Sequence, residues 1–366
     1  MSHPAPHHVS VLSTGADLPG DPIDNAALEK LCGPLPDEVL RGIQVTRRHW
    51  IVDPATGEHH SGTATMAENA ARQALDRAGL TAGDVDLLVV ATATPDFQLP
   101  VAGTYVLERL GLEHCAVIEV RAGCVGAVQG LDIARRLLAD GTYRTALVVG
   151  AESVSPLLVH SYLGQDPRKV RMRDRLTVHT FGDGAGAVVL RAEEGPATGP
   201  DGVFATQCLG AGRKPGIRVV GGGTAPAPRG ADAGRPPRIE VDIPGTTRHG
   251  PEVFVTGLQD MLTRSGLALA DLDACVLPEG NAEYFGRELE AAGMTAADHT
   301  ALQPKVVENL ADVGATGSAA VPLALDDGWR RGRITPGDTV LLLAVEATRY
   351  LYAGLTLTWE AATPAR

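Results

Sequence analysis

Continuous apolar runs and helically spaced apolar positions take turns along this chain. Leu87-Leu88-Val89-Val90-Ala91, Thr145-Ala146-Leu147-Val148-Val149-Gly150 and Thr339-Val340-Leu341-Leu342-Leu343-Ala344 are of strand length and carry no polar face. Such runs predict strands covered on both sides, and the helical stretches between them predict mixed α/β sheets. The segment from Val117 to Leu131 joins the two patterns. A β-branched run ends in Ala122-Gly123, Cys124 stands at the turn, and Leu131, Ala134, Leu137 and Leu138 follow at helical spacing. This predicts a strand, a tight elbow and a helix. The elbow places the Cys124 sulfur at a helix N-terminus, where unpaired N–H groups and the macrodipole favour a thiolate. Buried structural thiols are commoner in general, but small residues bracketing this one point to a nucleophile.

The pattern also repeats. Ala74-Leu75-Asp76-Arg77-Ala78-Gly79-Leu80 leads through Asp84-Val85-Asp86 into the strand at 87, and Met261-Leu262-Thr263-Arg264-Ser265-Gly266-Leu267 leads through Asp271-Leu272-Asp273 into Ala274-Cys275-Val276. The Cys124 elbow has a counterpart in Val313–Ala320, followed by a helix to about Arg331, and the strand from Thr145 has one from Thr339. The expectation is two α/β halves, residues 1–195 and 235–366, joined by a connecting segment at 196–234. Duplication sets the elbows opposite each other, so Cys124 and Ala315 are expected to approach one cavity.

Composition narrows the function classes. Five cysteines at 32, 115, 124, 208 and 275 show no CxxC pair, so neither a disulfide framework nor a metal site is expected. A formal net charge of −12 argues against nucleic acid as a partner. No apolar segment reaches membrane-spanning length, and the first residues lack a signal-peptide layout, so a cytoplasmic protein without membrane attachment is expected. His3, His7 and His8 precede any periodic segment and read as a frayed start.

The Cys124 elbow, Gly42-Ile43 followed by Arg47-Arg48, and Phe181-Gly182-Asp183-Gly184-Ala185-Gly186-Ala187 together resemble β-ketoacyl-acyl-carrier-protein synthase III, over residues 8 to 359. The resemblance implies a thiolase fold, with duplicated mixed-sheet halves in a layered αβαβα arrangement, and a homodimer. It implies no tightly bound cofactor. The substrate would be an acyl thioester of phosphopantetheine, carried by an acyl carrier protein or coenzyme A.

Departures from that family fall in the site. The family pairs its cysteine with a histidine in Pro-His-Gln-Ala-Asn, where this chain has Pro278-Glu279-Gly280-Asn281-Ala282, and with an asparagine in Gly-Asn-Thr, where this chain has Gly314-Ala315-Thr316. Those two groups donate hydrogen bonds to the enolate formed when malonyl loses carbon dioxide. An ionised glutamate and an alanine donate none, and each lost donor costs about 3 kcal/mol of transition-state stabilisation. The glycine-rich turn that helps bind the family's thioester oxyanion reads Val345-Glu346-Ala347-Thr348-Arg349-Tyr350 here, and Glu346 and Arg349 either pair with each other or contact substrate.

What survives is nucleophilic acyl transfer through Cys124, with Glu279 as general base on a small-molecule acceptor. The reading is an acyltransferase of specialised, polyketide-type metabolism with a non-malonyl acceptor. Two alternatives remain: a decarboxylative or non-decarboxylative C–C condensing ketosynthase III, and a degenerate partner subunit of another synthase. Matching the family's binding segments adds Arg175, Phe181, Arg248, Gly250, Phe254, Ala315 and Thr316 as substrate-binding residues, alongside Glu346 and Arg349. The family's adenine clamp is dismantled at Pro36 and Leu40. The local basic run from Asp166 to Arg175 suits an acidic carrier protein. His179, read as part of a strand, and His249 are expected to be structural.

Overall fold

The computed structural model describes residues 7–193, 202–222, 236–278 and 286–362. The first sheet has the strand order His8–Asp17, Gly184–Glu193, Thr145–Glu152, Leu87–Ala91, Ala116–Val120. Leu87–Ala91 runs parallel to both of its neighbours, and the other two pairings are antiparallel. The second sheet follows the same plan, with the order Phe204–Cys208, Leu351–Thr358, Thr339–Glu346, Ala274–Val276, Val306–Val307. Here Ala274–Val276 is the strand with two parallel neighbours. Each strand of one half therefore has a counterpart in the other, and Thr145–Glu152 corresponds to Thr339–Glu346.

One boundary differs from the expectation. Phe204–Cys208 is paired with Leu351–Thr358, so the second sheet already begins inside the segment read as a connector. A short strand whose exposed positions are Thr206, Gln207 and Cys208 carries too little apolar signal to be seen in the sequence.

The helices Gly126–Ala139 and Ala320–Arg330 lie between the two sheets. Leu131, Ala134 and Leu138 of the first join Val321, Leu325 and Trp329 of the second, together with Val148 and Leu342 from the sheets, in one buried cluster. Thr63–Ala78 covers the outer face of the first sheet through Ala67, Ala70, Ala71 and Ala74. Ile243–Ser265 covers the second through Val253, Leu258 and Met261. The layers read helix, sheet, helix, sheet, helix. Each fully buried Leu or Val contributes about 1.5–3 kcal/mol relative to exposure, and the central cluster fixes how the halves meet. Gly150 is needed at that meeting, because a Cβ there would lie 2.1 Å from the Ser318 carbonyl oxygen.

Candidate active site

Strand Ala116–Val120 delivers the chain to a tight turn at Gly123–Val125, from which the helix Gly126–Ala139 starts. Gly123 has φ +57°, the left-handed region that favours glycine. Cys124 sits half-buried in this turn, just before a 14-residue helix whose N-terminus favours negative charge.

The second half repeats the elbow. Gly317, with φ +53°, opens the turn Gly317–Ala319 ahead of the helix Ala320–Arg330. The residue in Cys124's place is therefore Ser318, three positions beyond Ala315. The elbows meet directly: Ser318 Oγ donates to the Gly123 carbonyl at 2.9 Å.

Ala315 lies nearby in a different role. Its N–H donates to the Thr180 carbonyl at 2.9 Å and its carbonyl accepts from Gly182 N–H at 3.1 Å, forming a parallel bridge with Phe181. Both residues are half-buried. Thr316 is fully buried, and its hydroxyl has no hydrogen-bond partner among the described residues.

Arg48 holds this bridge from beneath. It is fully buried and donates to Ile23 O at 3.0 Å, Asn25 Oδ1 at 2.6 Å and His179 O at 2.7 Å. Its Cβ packs against Gly182 and Gly314, where a Cβ on either glycine would come within 3.2 Å of it. Burial pushes the guanidinium down to about 10, so it stays charged at neutral pH. Asp183 anchors the other side, accepting from the N–H groups of Ile51, Val154 and Ser155 and from the Ser155 hydroxyl. Burial outweighs those donors and raises its pKa to about 6.

Glu346 ends the strand that corresponds to Thr145–Glu152. Its carboxylate accepts from Thr348 N–H at 2.6 Å and Arg349 N–H at 3.2 Å, and it lies against Gly123. A side-chain pair with Arg349 was one expectation, but the structure shows a different contact. The carboxylate takes the backbone of Arg349, while the exposed guanidinium donates to Arg213 O at 3.2 Å. A turn of three residues brings N–H groups to the carboxylate more readily than it can fold a long side chain back.

The remaining expected residues make contacts of their own. The Arg175 guanidinium donates to the carbonyls of Val170, Pro34, Pro167 and Arg168, stapling two loops together. Arg248 is exposed on the helix Ile243–Ser265, Gly250 on the same helix faces open space, and Phe254 is in the core of the second half. Glu279 lies outside the described residues.

His179 is in the last turn of a helix, Met172–Thr180, and not in a strand. The hydroxyls of Thr177 and Thr180 donate back to Arg173 O and Leu176 O, which accommodates β-branched residues in this helix. His179 is buried, with Nδ1 donating to Arg175 O at 2.8 Å, and burial holds its pKa at about 4. His249 packs edge-on against Tyr350 with ring centroids 5.0 Å apart.

The basic run is partly neutralised from within, since Arg168 pairs with Asp166 and both Arg171 and Arg173 with Asp174. It nonetheless borders a cleft of about 600 Å³ that Lys169, Arg171, Arg173, Lys214, Arg218 and Arg238 line, against the acids Asp174, Glu240 and Asp242. Among the described residues no cluster suits a metal ion, and no helix is long and apolar enough to cross a membrane.

Sequence reasoning passed over Ser318 and Glu152. Both were accessible through the repeat, as the register partners of Cys124 and Glu346.

Two topologically equivalent sheets with a cysteine elbow at their junction define a thiolase-fold acyl-transferring enzyme. The sequence signature of 3-oxoacyl-[acyl-carrier-protein (ACP)] synthase III matches residues 118–208, and that of its C-terminal domain matches residues 262–359. The beta-ketoacyl-[acyl-carrier-protein] synthase III of Rhodospirillum centenum is 34% identical over 362 residues, 96% of this chain and 97% of that protein. The chain belongs to the 3-oxoacyl-[acyl-carrier-protein] synthase III family. Among solved structures, the tetronic acid condensing enzyme AbyA1 superposes with a TM-score of 0.80 at 32% identity, covering 96% of this chain and all 100% of that one. The synthase III of Pseudomonas aeruginosa superposes with a TM-score of 0.77 at 28% identity, covering 97% and 99%. Members of the family transfer acyl groups from carrier-protein or coenzyme A thioesters without a tightly bound cofactor.

Proposed function

We propose that this enzyme takes an acyl group from a carrier-protein thioester onto Cys124 and passes it to a non-malonyl acceptor, with Glu279 as the general base. The observation that carries this reading is the pairing of a retained Cys124 elbow with Ala315. The half-buried side chain at position 315 ends in a methyl group and donates nothing to an enolate. Acyl loading needs only a thiolate and a leaving thiol, so it is unaffected by that loss.

The likeness to a tetronic acid condensing enzyme supports a particular class of acceptor. Closing a tetronic acid ring requires acylation of a carbon that stands between two carbonyls, together with formation of an ester. Such a carbon gives up its proton to a carboxylate base and needs no decarboxylation. A β-keto thioester is the acceptor that fits Glu279.

The cationic cleft suits the acidic face of a carrier protein. A second copy of the chain is the natural cover for the edge strand Ala116–Val120, whose apolar side chains are only half-buried, in a protein where Phe97 and Leu99 are 57% and 80% exposed.

One observation favours the decarboxylative condensing alternative. A buried hydroxyl without a partner is unfavourable by about 1–3 kcal/mol, and Thr316, next to Ala315, carries one. It is a candidate donor to an enolate oxygen.

Intact-protein mass spectrometry tests the proposal. An acyl carrier protein thioester should add one acyl group, which Cys124→Ala abolishes. Glu279→Gln should keep the adduct and lose its discharge to a β-keto thioester. Absence of an adduct with every thioester donor would overturn the reading and favour the non-catalytic subunit.

A further inference from the structure

Each half ends its middle strand with a glutamate that reaches across to the elbow of the other half. Glu152 closes Thr145–Glu152 and lies against Gly317, where a Cβ would sit 2.7 Å from its Oε2. Glu346 closes Thr339–Glu346 and lies against Gly123, where a Cβ would sit 3.0 Å from its Oε1. Both are buried, with 2% and 1% exposure.

Their partners differ. Glu152 accepts from the N–H groups of Ala93 and Ser318 and from the hydroxyls of Thr92 and Thr94, which spreads its charge over four donors. Glu346 accepts from three, the N–H groups of Thr348 and Arg349 and the Thr348 hydroxyl, all on its own turn. A carboxylate has about four acceptor positions, so Glu152 is fully occupied and Glu346 is not. The elbow beside Glu152 carries Ser318, and the elbow beside Glu346 carries Cys124. The less compensated charge therefore stands next to the thiol.

We infer that Glu346 is a positioning residue that sets the reactivity of Cys124. Its carboxylate wedges the left-handed Gly123 of the nucleophile's turn, and its charge one residue away raises the proton affinity of the thiol against the pull of the helix N-terminus. It also occupies the N–H groups of Thr348 and Arg349, so those two are unavailable to a thioester oxyanion. The inference rests on Cys124 being the nucleophile.

Among the described residues, the charged groups on the surrounding elements are engaged elsewhere. Arg349 turns to Arg213 O, and Arg213 pairs with Glu252, which His249 also faces. Tyr352 on the adjoining strand donates to Asp260. On the helix Gly126–Ala139, Asp132 pairs with Arg135 and Arg136, and on Ala320–Arg330, Asp326 is held by Arg77 and Arg330 while Asp327 pairs with Arg331. Cys275 on the neighbouring strand is buried, with its thiol pushed up to about 12. Burial raises the pKa of Glu346 itself, against the hydrogen bonds from Thr348 and Arg349 that lower it.

The test is the rate of Cys124 alkylation by iodoacetamide in the full chain as a function of pH, followed by peptide mass mapping to separate it from Cys208. Glu346→Gln keeps the shape and one acceptor but removes the charge. It should lower the alkylation midpoint by about one pH unit, which means roughly tenfold faster labelling well below the wild-type midpoint. Glu346→Asp withdraws the charge by one methylene and should shift the midpoint the same way by less, which keeps the inference testable if the Gln variant does not fold. A merely structural role would change the rate at all pH values and leave the midpoint in place. An unmoved or raised midpoint in either variant would overturn the inference. Alkylation needs no acyl donor, so this outcome is independent of whether acyl loading occurs.

Discussion

Ser318 Oγ donates a 2.9 Å hydrogen bond to the carbonyl oxygen of Gly123, tying the elbow of one half to the nucleophile's elbow in the other. The duplicated fold thus gives the Cys124 turn a partner from the opposite sheet, and the geometry of the thiol depends on how the halves dock.

Ser318→Ala should leave the Gly123 carbonyl without this donor and lower stability by about 1–3 kcal/mol, measured by urea unfolding. Acyl loading of Cys124 should slow as well, because Gly123 loses a constraint on its left-handed conformation. Unchanged stability together with unchanged loading would show that the elbows do not depend on this contact.

Arg48→Met should be among the most damaging single changes. It removes the donors to Ile23 O, Asn25 Oδ1 and His179 O together, the last buried and the others part-buried, and a loss of about 3 kcal/mol is expected from the three vacated acceptors. Arg48→Lys should recover part of that loss, since an ammonium reaches fewer of the three. Equal stability of the Met and Lys variants in urea would count against this role.

Stability should depend on pH through His179. Its folded pKa of about 4 lies below the ordinary 6.5, so between those values the unfolded chain binds the extra proton and stability rises with pH. The contribution is complete above pH 6.5 and disappears as pH falls toward 4, up to about 3 kcal/mol. Asp183 works in the opposite sense, because its pKa is raised from 3.8 to about 6 and its contribution fades as pH rises through 6. His179→Gln isolates the first effect. The stability gap between wild type and variant should be largest at pH 7 and shrink toward pH 4, and a gap constant across that range would refute the assignment.

The cationic cleft should matter for the donor. Charge reversal at Lys169 and Lys214 should raise KM for a carrier-protein thioester several-fold and change kcat little, with the difference shrinking at high salt, since exposed charges are screened over about 10 Å at 0.1 M. A short pantetheine thioester should show no such effect. Equal changes for both donors would mean that the cleft does not receive the carrier protein.

Much of the fold was legible because the duplication repeats Leu, Arg, Gly and Asp in register and the buried strands have no polar face. The Cys124 elbow was legible for the same reason, as small residues around one thiol between a strand and a helix. The places that escaped were set by tertiary contacts. His179 was read as part of a strand, yet it lies in the last turn of a helix whose Thr177 and Thr180 hydroxyls donate back to carbonyls. Cys124 and Ala315 were expected to approach one cavity, and within the second elbow the register partner of Cys124 is Ser318, because Ala315 is taken up in the bridge to Phe181. Glu346 was visible as a charge where its relatives have glycine, while its contact with Gly123 follows from sheet register and could not be read from spacing.

The central claim is that the acyl group on Cys124 goes to an acceptor that is already activated. Acyl-loaded enzyme, isolated and mixed in single turnover with either a malonyl or a β-keto thioester of the carrier protein, tests it directly. The account predicts loss of the adduct only with the β-keto thioester, and no release of carbon dioxide from the malonyl one. Rapid discharge by the malonyl thioester with stoichiometric carbon dioxide would contradict it and establish a decarboxylative condensing enzyme.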